Sequence, residues 1–368
     1  MSHPKLAPAP VQSTMPRLHG LDVLRAGAAL LVAFHHYWST PTAHDRLSLA
    51  FGERYVFHDP LNAIGTLGIL GVEAFFVISG FVIVMSAEGR SVREFLASRA
   101  ARLLPAFWFC CCLTWGVLAL TPNYRQVSLT QLAANLLMVA RPLHFEFVDG
   151  VYWSLIVEVR FYLLIALVLF LGQMARFHLL LAAWLLIAAV DAWTGIHPVL
   201  RFILLPQFAP AFIAGGALYL KWRKRSGMLA NFLLAGSCCL LAQAGFQKVS
   251  GMRPDLGIQA AALLLAFVCA VWVFSCTGLS NIHGAWMAFV GSLTYPLYLV
   301  HNDLGILFMR LYPWKWPHSA VMVTLMALAM SIAIAYLVVR FIEPPLSRQV
   351  RKFISPLKSP RNPLQLHH

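Results

Sequence analysis

Charge is what this sequence has least of. Asp, Glu, Lys and Arg make up 11% of its 368 residues, and hydrophobic residues 60%. A soluble domain carries about 25% charged residues, so a chain this poor in charge lacks the polar surface to fold as a large water-exposed globule. Acidic residues are scarcer still, 14 against 28 basic, for a net charge of +14. The basic excess is not gathered on a polar face or tail. It sits in short clusters between apolar runs, which argues against a nucleic-acid partner and for the rule that retains Lys and Arg on the cytoplasmic side of a membrane. Metal-ligand spacing is also missing. The seven cysteines (Cys110, Cys111, Cys112, Cys238, Cys239, Cys269, Cys276) lie in or beside apolar stretches, where cysteine behaves as a small hydrophobe. His35 and His36 are neighbours on a helix and point apart, so a site built from them and His44 is not expected and no metal is implied. No internal repeat and no linker to a second soluble domain is evident. No cleavable leader is expected, because the first apolar run holds Arg25 and a histidine pair and lacks a small-residue cleavage site.

What is abundant is the apolar run of spanning length, roughly 20 residues. Candidate spans are 20–38, 66–86, 103–120, 152–171, 177–194, 202–220, 228–245, 256–277, 285–309 and 318–341. With a cytoplasmic N-terminus, seventeen Lys and Arg fall in inner segments and nine in outer ones, so the charge bias favours both termini inside. The expected architecture is an all-α integral membrane protein of about ten transmembrane helices. A Pro-rich, disordered cytoplasmic tail is expected over 1–17, a multi-pass domain over 18–345 and a basic cytoplasmic tail over 346–368.

Ionisable groups within such spans are costly and by default functional. Arg25 and His36 are eleven residues apart in LDVLRAGAALLVAFHHYW, which at 100° per residue places them on one helix face, roughly 16 Å apart along the axis. Glu73 lies in GVEAFFVISGFVI, and Glu158 two turns into DGVYWSLIVEVRFY, with Tyr162 one turn beyond on the same face. Arg160 points away from Glu158. His301 ends SLTYPLYLVH. Arg99 and Arg102, in FLASRAARLLPAFW, share a face as i, i+3 neighbours. They serve either as membrane anchors or as guanidinium forks for the phosphates of a cofactor such as coenzyme A. Arg25, Arg99 and Arg102 fall in the inner half of the expected topology, and His36, Glu158 and His301 in the outer half.

Taken together, RLHGLDVLRAGAALLVAFHH, GVEAFFVISGFVI, FLASRAARLLPAFW, VYWSLIVEVRFYLL, YPLYLVH and RFIEPPLSR resemble, in order, the segments of the acyltransferase-3 family of membrane O-acyltransferases. The resemblance covers roughly residues 18–348. It implies transfer of an acyl group, with acetyl expected, from cytoplasmic acyl-CoA to a hydroxyl of a carbohydrate such as lipopolysaccharide, exopolysaccharide or another glycolipid or glycan, within a bacterial inner (plasma) membrane. The family's Arg-x10-His pattern falls on Arg25 and His36, its Arg-x-x-Arg pattern on Arg99 and Arg102, its glutamate on Glu158 and its later histidine on His301. Glu343, in IEPPLSR, reads as structural.

On this resemblance His36 is the candidate general base, because a sugar hydroxyl needs one near neutral pH. Glu158 or Glu73 is the candidate to orient its imidazole, and His301 the candidate for the oxyanion or acceptor contact. Arg25, Arg99 and Arg102 are the candidate acyl-CoA contacts. A second copy of the chain, a separate periplasmic chain and membrane lipid are the candidate macromolecular partners. The rival reading is a proton-coupled secondary transporter that uses the same buried Arg, His and Glu residues, and a non-catalytic membrane scaffold is the third.

Overall fold

The computed structural model describes residues 18–39, 57–121, 125–225, 227–282, 284–312 and 319–354. His44 and the 1–17 segment lie outside them. Fourteen α-helices make up the described fold: α1 (His19–Trp38), α2 (Leu61–Gly68), α3 (Gly71–Ala87), α4 (Val92–Ala119), α5 (Leu129–Leu136), α6 (Tyr152–Phe170), α7 (Phe177–Thr194), α8 (Pro198–Leu204), α9 (Ala209–Trp222), α10 (Met228–Ser250), α11 (Gly257–Cys276), α12 (Ala285–Leu311), α13 (Ser319–Leu337) and α14 (Glu343–Ile354). No strand occurs among the described residues.

The chain is an all-α membrane protein. Among the described residues, eight helical stretches are long and apolar enough to cross a bilayer, including Leu61–Ala87 (α2 with α3) and Pro198–Trp222 (α8 with α9). Two more helices have the length, α1 with 20 residues and α12 with 27. They are more polar, and they lie at the centre of the bundle, where protein rather than lipid surrounds their Asp22, His35, His301, Asn302 and Asp303 side chains, all buried. That is where membrane-embedded polar groups are expected. The lipid-facing helices show the reverse, with Leu163, Leu167, Phe170, Leu186 and Phe232 exposed.

Helix packing follows small residues. α3 lies against α9 where Gly80 faces the backbone of Phe212 and Gly215 faces that of Val77; a Cβ at either glycine would overlap the opposing carbonyl oxygen. This is the close approach that glycine permits between membrane helices. Phe76, Phe161 and Phe212 stack beside the contact.

Three element boundaries depart from the spans read in sequence. α4 starts at Val92 rather than 103, because Ser91 and Glu94 form a complete capping box that launches the helix before the membrane; Pro105 is carried inside it. The 202–220 span is two helices, broken where Leu205 adopts φ +50°. The segment expected as a basic tail from 346 is helical to Ile354. α14 lies along the start of α4, with Ser347 Oγ donating to the Ala101 carbonyl at 2.9 Å and Arg93 Nε to that of Ile354 at 3.3 Å.

Candidate active site

Two cavities run into the bundle from the end that carries Glu343 and the start of α1. The outermost, about 400 Å³, is lined by Asp22, Arg25, Arg102, Ser292, Tyr295 and Glu343, among others. The second, about 80 Å³, is lined by Arg25, Ser79, Arg102, Glu158, Tyr162, Tyr295 and Tyr298, with Val72, Phe75 and Phe76 on its apolar side. Arg25, Arg102 and Tyr295 line both, so they stand where the two cavities meet. The sequence places Arg25 six residues into α1 and Arg102 ten residues into α4, and packing of α1, α4 and α12 brings them together. Tyr295 is pinned by its hydroxyl, which donates to the Leu103 carbonyl at 3.1 Å.

The electrostatics of this neck are cationic but balanced. Asp22, one turn before Arg25, lies 3.9 Å from its guanidinium. Glu158 Oε1 accepts from Tyr162 at 2.8 Å and from Ser79 at 3.0 Å. Arg99 lines neither cavity. It is half-buried, its Nε has no hydrogen-bond partner, and one Nη reaches Ser98 at 3.4 Å. Of the two arginines expected to bind phosphate, Arg102 therefore lines the space and Arg99 stands beside it. Glu343, read from sequence as structural, contributes to the outer cavity wall.

At its inner end the narrow cavity meets Tyr298, whose hydroxyl is held by Ser154 at 2.6 Å and the Val151 carbonyl at 3.3 Å. Beyond Tyr298 sit the histidines. The rings of Tyr298 and His301 are 5.6 Å apart, and those of His301 and His36 5.3 Å apart. His301 is wholly buried. Its Nδ1 faces two acceptors, the Tyr298 carbonyl at 2.9 Å and that of Leu297 at 3.2 Å, so the proton of the neutral ring resides on Nδ1. That leaves Nε2 with a lone pair, buried and without a hydrogen-bond partner. His36 is half-buried beside it. His35 is diverted to structure, since its Nδ1 donates to the Gly65 carbonyl at 2.9 Å.

The other expected site residues do not all join this pair. Glu158 belongs with Arg25 and Arg102 at the cavity. Glu73, at the start of α3, forms an ion pair with Lys248 of α10 at 2.5 Å.

A third set of residues, not singled out from the sequence, holds the α12 segment that bears His301. Asp149 is fully buried between α5 and α6. It accepts from Asn302 Nδ2 at 2.8 Å, from the Asp303 amide at 2.9 Å and from the Val151 amide at 3.1 Å. Burial raises its carboxyl above the usual carboxylate range, against the opposing pull of these donors and of Arg125. Asp303 in turn accepts from the Gly150 amide at 3.3 Å and Arg125 at 3.4 Å. The Tyr37 hydroxyl donates to the His301 carbonyl at 2.6 Å. The readable signals were an acid just ahead of the Tyr152 span, in DGVYW, and two further polar residues directly after His301, in HND.

Among the described residues no cluster of His, Cys, Asp and Glu could hold a metal ion.

The described fold is thus a polytopic helical bundle with an arginine-lined cavity at one end and, deeper in, a buried His301 beside a half-buried His36. Residues 18–340 match the acyltransferase domain of the acyltransferase-3 family, and the chain belongs to that family. It is similar to the exopolysaccharide production protein ExoZ of Rhizobium meliloti (strain 1021), at 29% identity over 252 residues, which cover 64% of this chain and 76% of that relative. No solved structure matches.

Proposed function

We propose that this multi-pass acyltransferase moves an acetyl group from acetyl-CoA to a hydroxyl of an exopolysaccharide or its precursor. The observation that carries the reading is the run from an arginine-lined mouth through the narrow cavity to Tyr298, whose ring stands 5.6 Å from that of His301. Arg25 and Arg102 suit the phosphates of the donor. The narrow cavity, polar at Ser79, Glu158 and Tyr298 and apolar at Val72 and Phe76, suits a thin, mixed-polarity arm. The similarity to a protein of exopolysaccharide production supports a carbohydrate acceptor.

In this account His36, half-buried, takes the proton of the acceptor hydroxyl as it attacks the thioester carbonyl. His301 presents Nε2 as a second acceptor, and its Nδ1–H is fixed by two backbone carbonyls, so the ring cannot turn away. The proton leaves with the CoA thiolate, which becomes the thiol. Arg25, at the neck and about three turns of α1 away from His36, offers positive charge to the phosphates of the donor. No cysteine nucleophile is needed. Glu158, bonded to Tyr162 and Ser79, offsets the charge of the arginines and holds the neck in shape. With the arginine mouth facing the cytoplasm, the described ends of the chain, Leu18 and Ile354, lie on that side, and the protein resides in the bacterial inner membrane.

The test is mass spectrometry of exopolysaccharide from cells lacking the gene, complemented with wild type or His36→Ala. Loss of an acetyl mass on deletion, restored by wild type and not by a His36→Ala protein that still accumulates in the membrane, is the expected outcome. Unchanged glycan masses on deletion would overturn the reading.

A further inference from the structure

At the end of the bundle opposite the arginine mouth, a third cavity of about 430 Å³ is lined by Arg125, Arg141, Arg160, Glu146 and Trp153, among others. Three guanidiniums and one carboxylate line it, and Arg125 also reaches Asp303 outside the cavity lining at 3.4 Å. Arg141 pairs with Glu146 at 3.1 Å, both exposed. Arg160 has no carboxylate partner among the described residues; its guanidinium lies over the Phe202 ring, 3.8 Å from the centroid. Arg125 hydrogen-bonds the Phe147 and Val148 carbonyls, and its buried Nε has no partner. The chemistry recognised by such a site is a phosphate or diphosphate, which guanidinium forks grip in pairs.

A second feature continues the first. An apolar groove of about 200 Å³ between α6 and α7 is lined by Phe161, Leu164, Val168, Leu180, Trp184 and Leu204, among others. At 100° per residue Trp153, Val157, Arg160, Phe161, Leu164 and Val168 share one stripe of α6, so the cationic cavity and the groove follow one another along a single helix face. α8 adjoins both, with Phe202 under Arg160 and Leu204 lining the groove. From Trp153 to Val168 the stripe runs ~22 Å, about the depth of a hydrocarbon leaflet with its interface.

We infer that this composite site binds a phosphate-headed lipid that carries the glycan acceptor, with the phosphate on Arg141 and Arg160 and the hydrocarbon tail along the α6–α7 groove. The inference rests on the acyl-transfer reading and names its acceptor. Its position is apt: Arg125, in the cavity wall, also reaches Asp303, two residues from His301, so sugars attached at the phosphate stand close to the histidine pair. The lipid anchor then supplies orientation that a soluble polysaccharide does not have.

The test uses the full-length protein in detergent, with native mass spectrometry as readout. The probes are geranylgeranyl diphosphate, geranylgeraniol, inorganic diphosphate and phosphatidylglycerol. Geranylgeranyl diphosphate is expected to bind at least about tenfold more tightly than the other three, and an Arg141→Gln/Arg160→Gln variant to lose about tenfold of that affinity. A groove-filling variant, Leu164→Trp, is expected to weaken the same probe while inorganic diphosphate binding stays unchanged. Phosphatidylglycerol binding equal to that of the diphosphate lipid, or wild-type affinity in the double-glutamine variant, overturns the inference. Acetyl-CoA binding, measured on the same samples, separates the two ideas: acetyl-CoA bound with no preference among lipids sinks this inference and leaves the acyl-transfer reading standing.

Discussion

The imidazoles of His36 and His301 lie 5.3 Å apart, one on α1 and the other on α12, and the buried one keeps an acceptor nitrogen that no protein group uses. An unsatisfied buried nitrogen costs stability, so its retention fits a group whose partner is the substrate. Replacing His301 by Ala or by Phe should lower acetyl transfer by about 10²- to 10⁴-fold with little change in acetyl-CoA affinity. Turnover and binding, measured separately on purified protein, check this. A parallel loss of donor binding would assign His301 to the donor pocket instead.

Arg102 lines both cavities at the arginine mouth and Arg99 neither. Arg102→Ala should raise the KM for acetyl-CoA by on the order of tenfold, as expected for loss of one charge-assisted bond to phosphate. Arg99→Ala should have the smaller effect. Titration of both variants with acetyl-CoA and with dephospho-CoA thioester decides the order.

Gly80 and Gly215 hold α3 against α9 at backbone contact. Gly80→Val should destabilise the fold by about 1–3 kcal/mol or more, because the helices must part to admit the side chain. Thermal unfolding in detergent should show the loss. Gly27, whose added Cβ meets no atom within 4 Å, serves as the control, with Gly27→Ala near wild type.

Burial raises the Asp149 carboxyl above its usual value. For an acid shifted upward, the unfolded chain ionises first as pH rises. Stability at this position is therefore greatest below the unfolded value near 3.9, falls as pH climbs towards the raised folded value, and is level above it. Asp149→Asn should be less stable by about 1–3 kcal/mol, since its amide cannot accept from all three present donors, and should lose that slope. Thermal unfolding at a series of acid to neutral pH values, wild type against variant, is the check; identical slopes would remove Asp149 as the source.

Much of this was legible in the sequence where the cause is local. Apolar runs locate the spans because lipid demands them, and Arg25, His36, Glu158 and His301 stood out because hydrocarbon penalises them. The Ser91–Glu94 capping box was equally local and marks the true start of α4. What stayed hidden is pairing across distance. Glu73 reads as a lone acid until α10 brings Lys248 to it. Arg160 reads only as a cation that points away from Glu158 until α8 brings Phe202 beneath it. Glu158 looks like a partner for the histidines from its depth in α6, yet its own turn supplies Tyr162 and α3 supplies Ser79. Asp149 sits in a loop, where an acid ordinarily faces water, and its role depends on the α12 backbone arriving above it.

The most direct measurement is acetyl transfer by the purified protein, with radiolabelled acetyl-CoA and de-acetylated exopolysaccharide repeat units or their lipid-linked form as acceptor. The account predicts label in the glycan with wild type, and loss of that label with His36→Ala and with His301→Ala while donor binding persists. Undiminished transfer by both histidine variants, or no transfer by a wild type that binds both substrates, would contradict it.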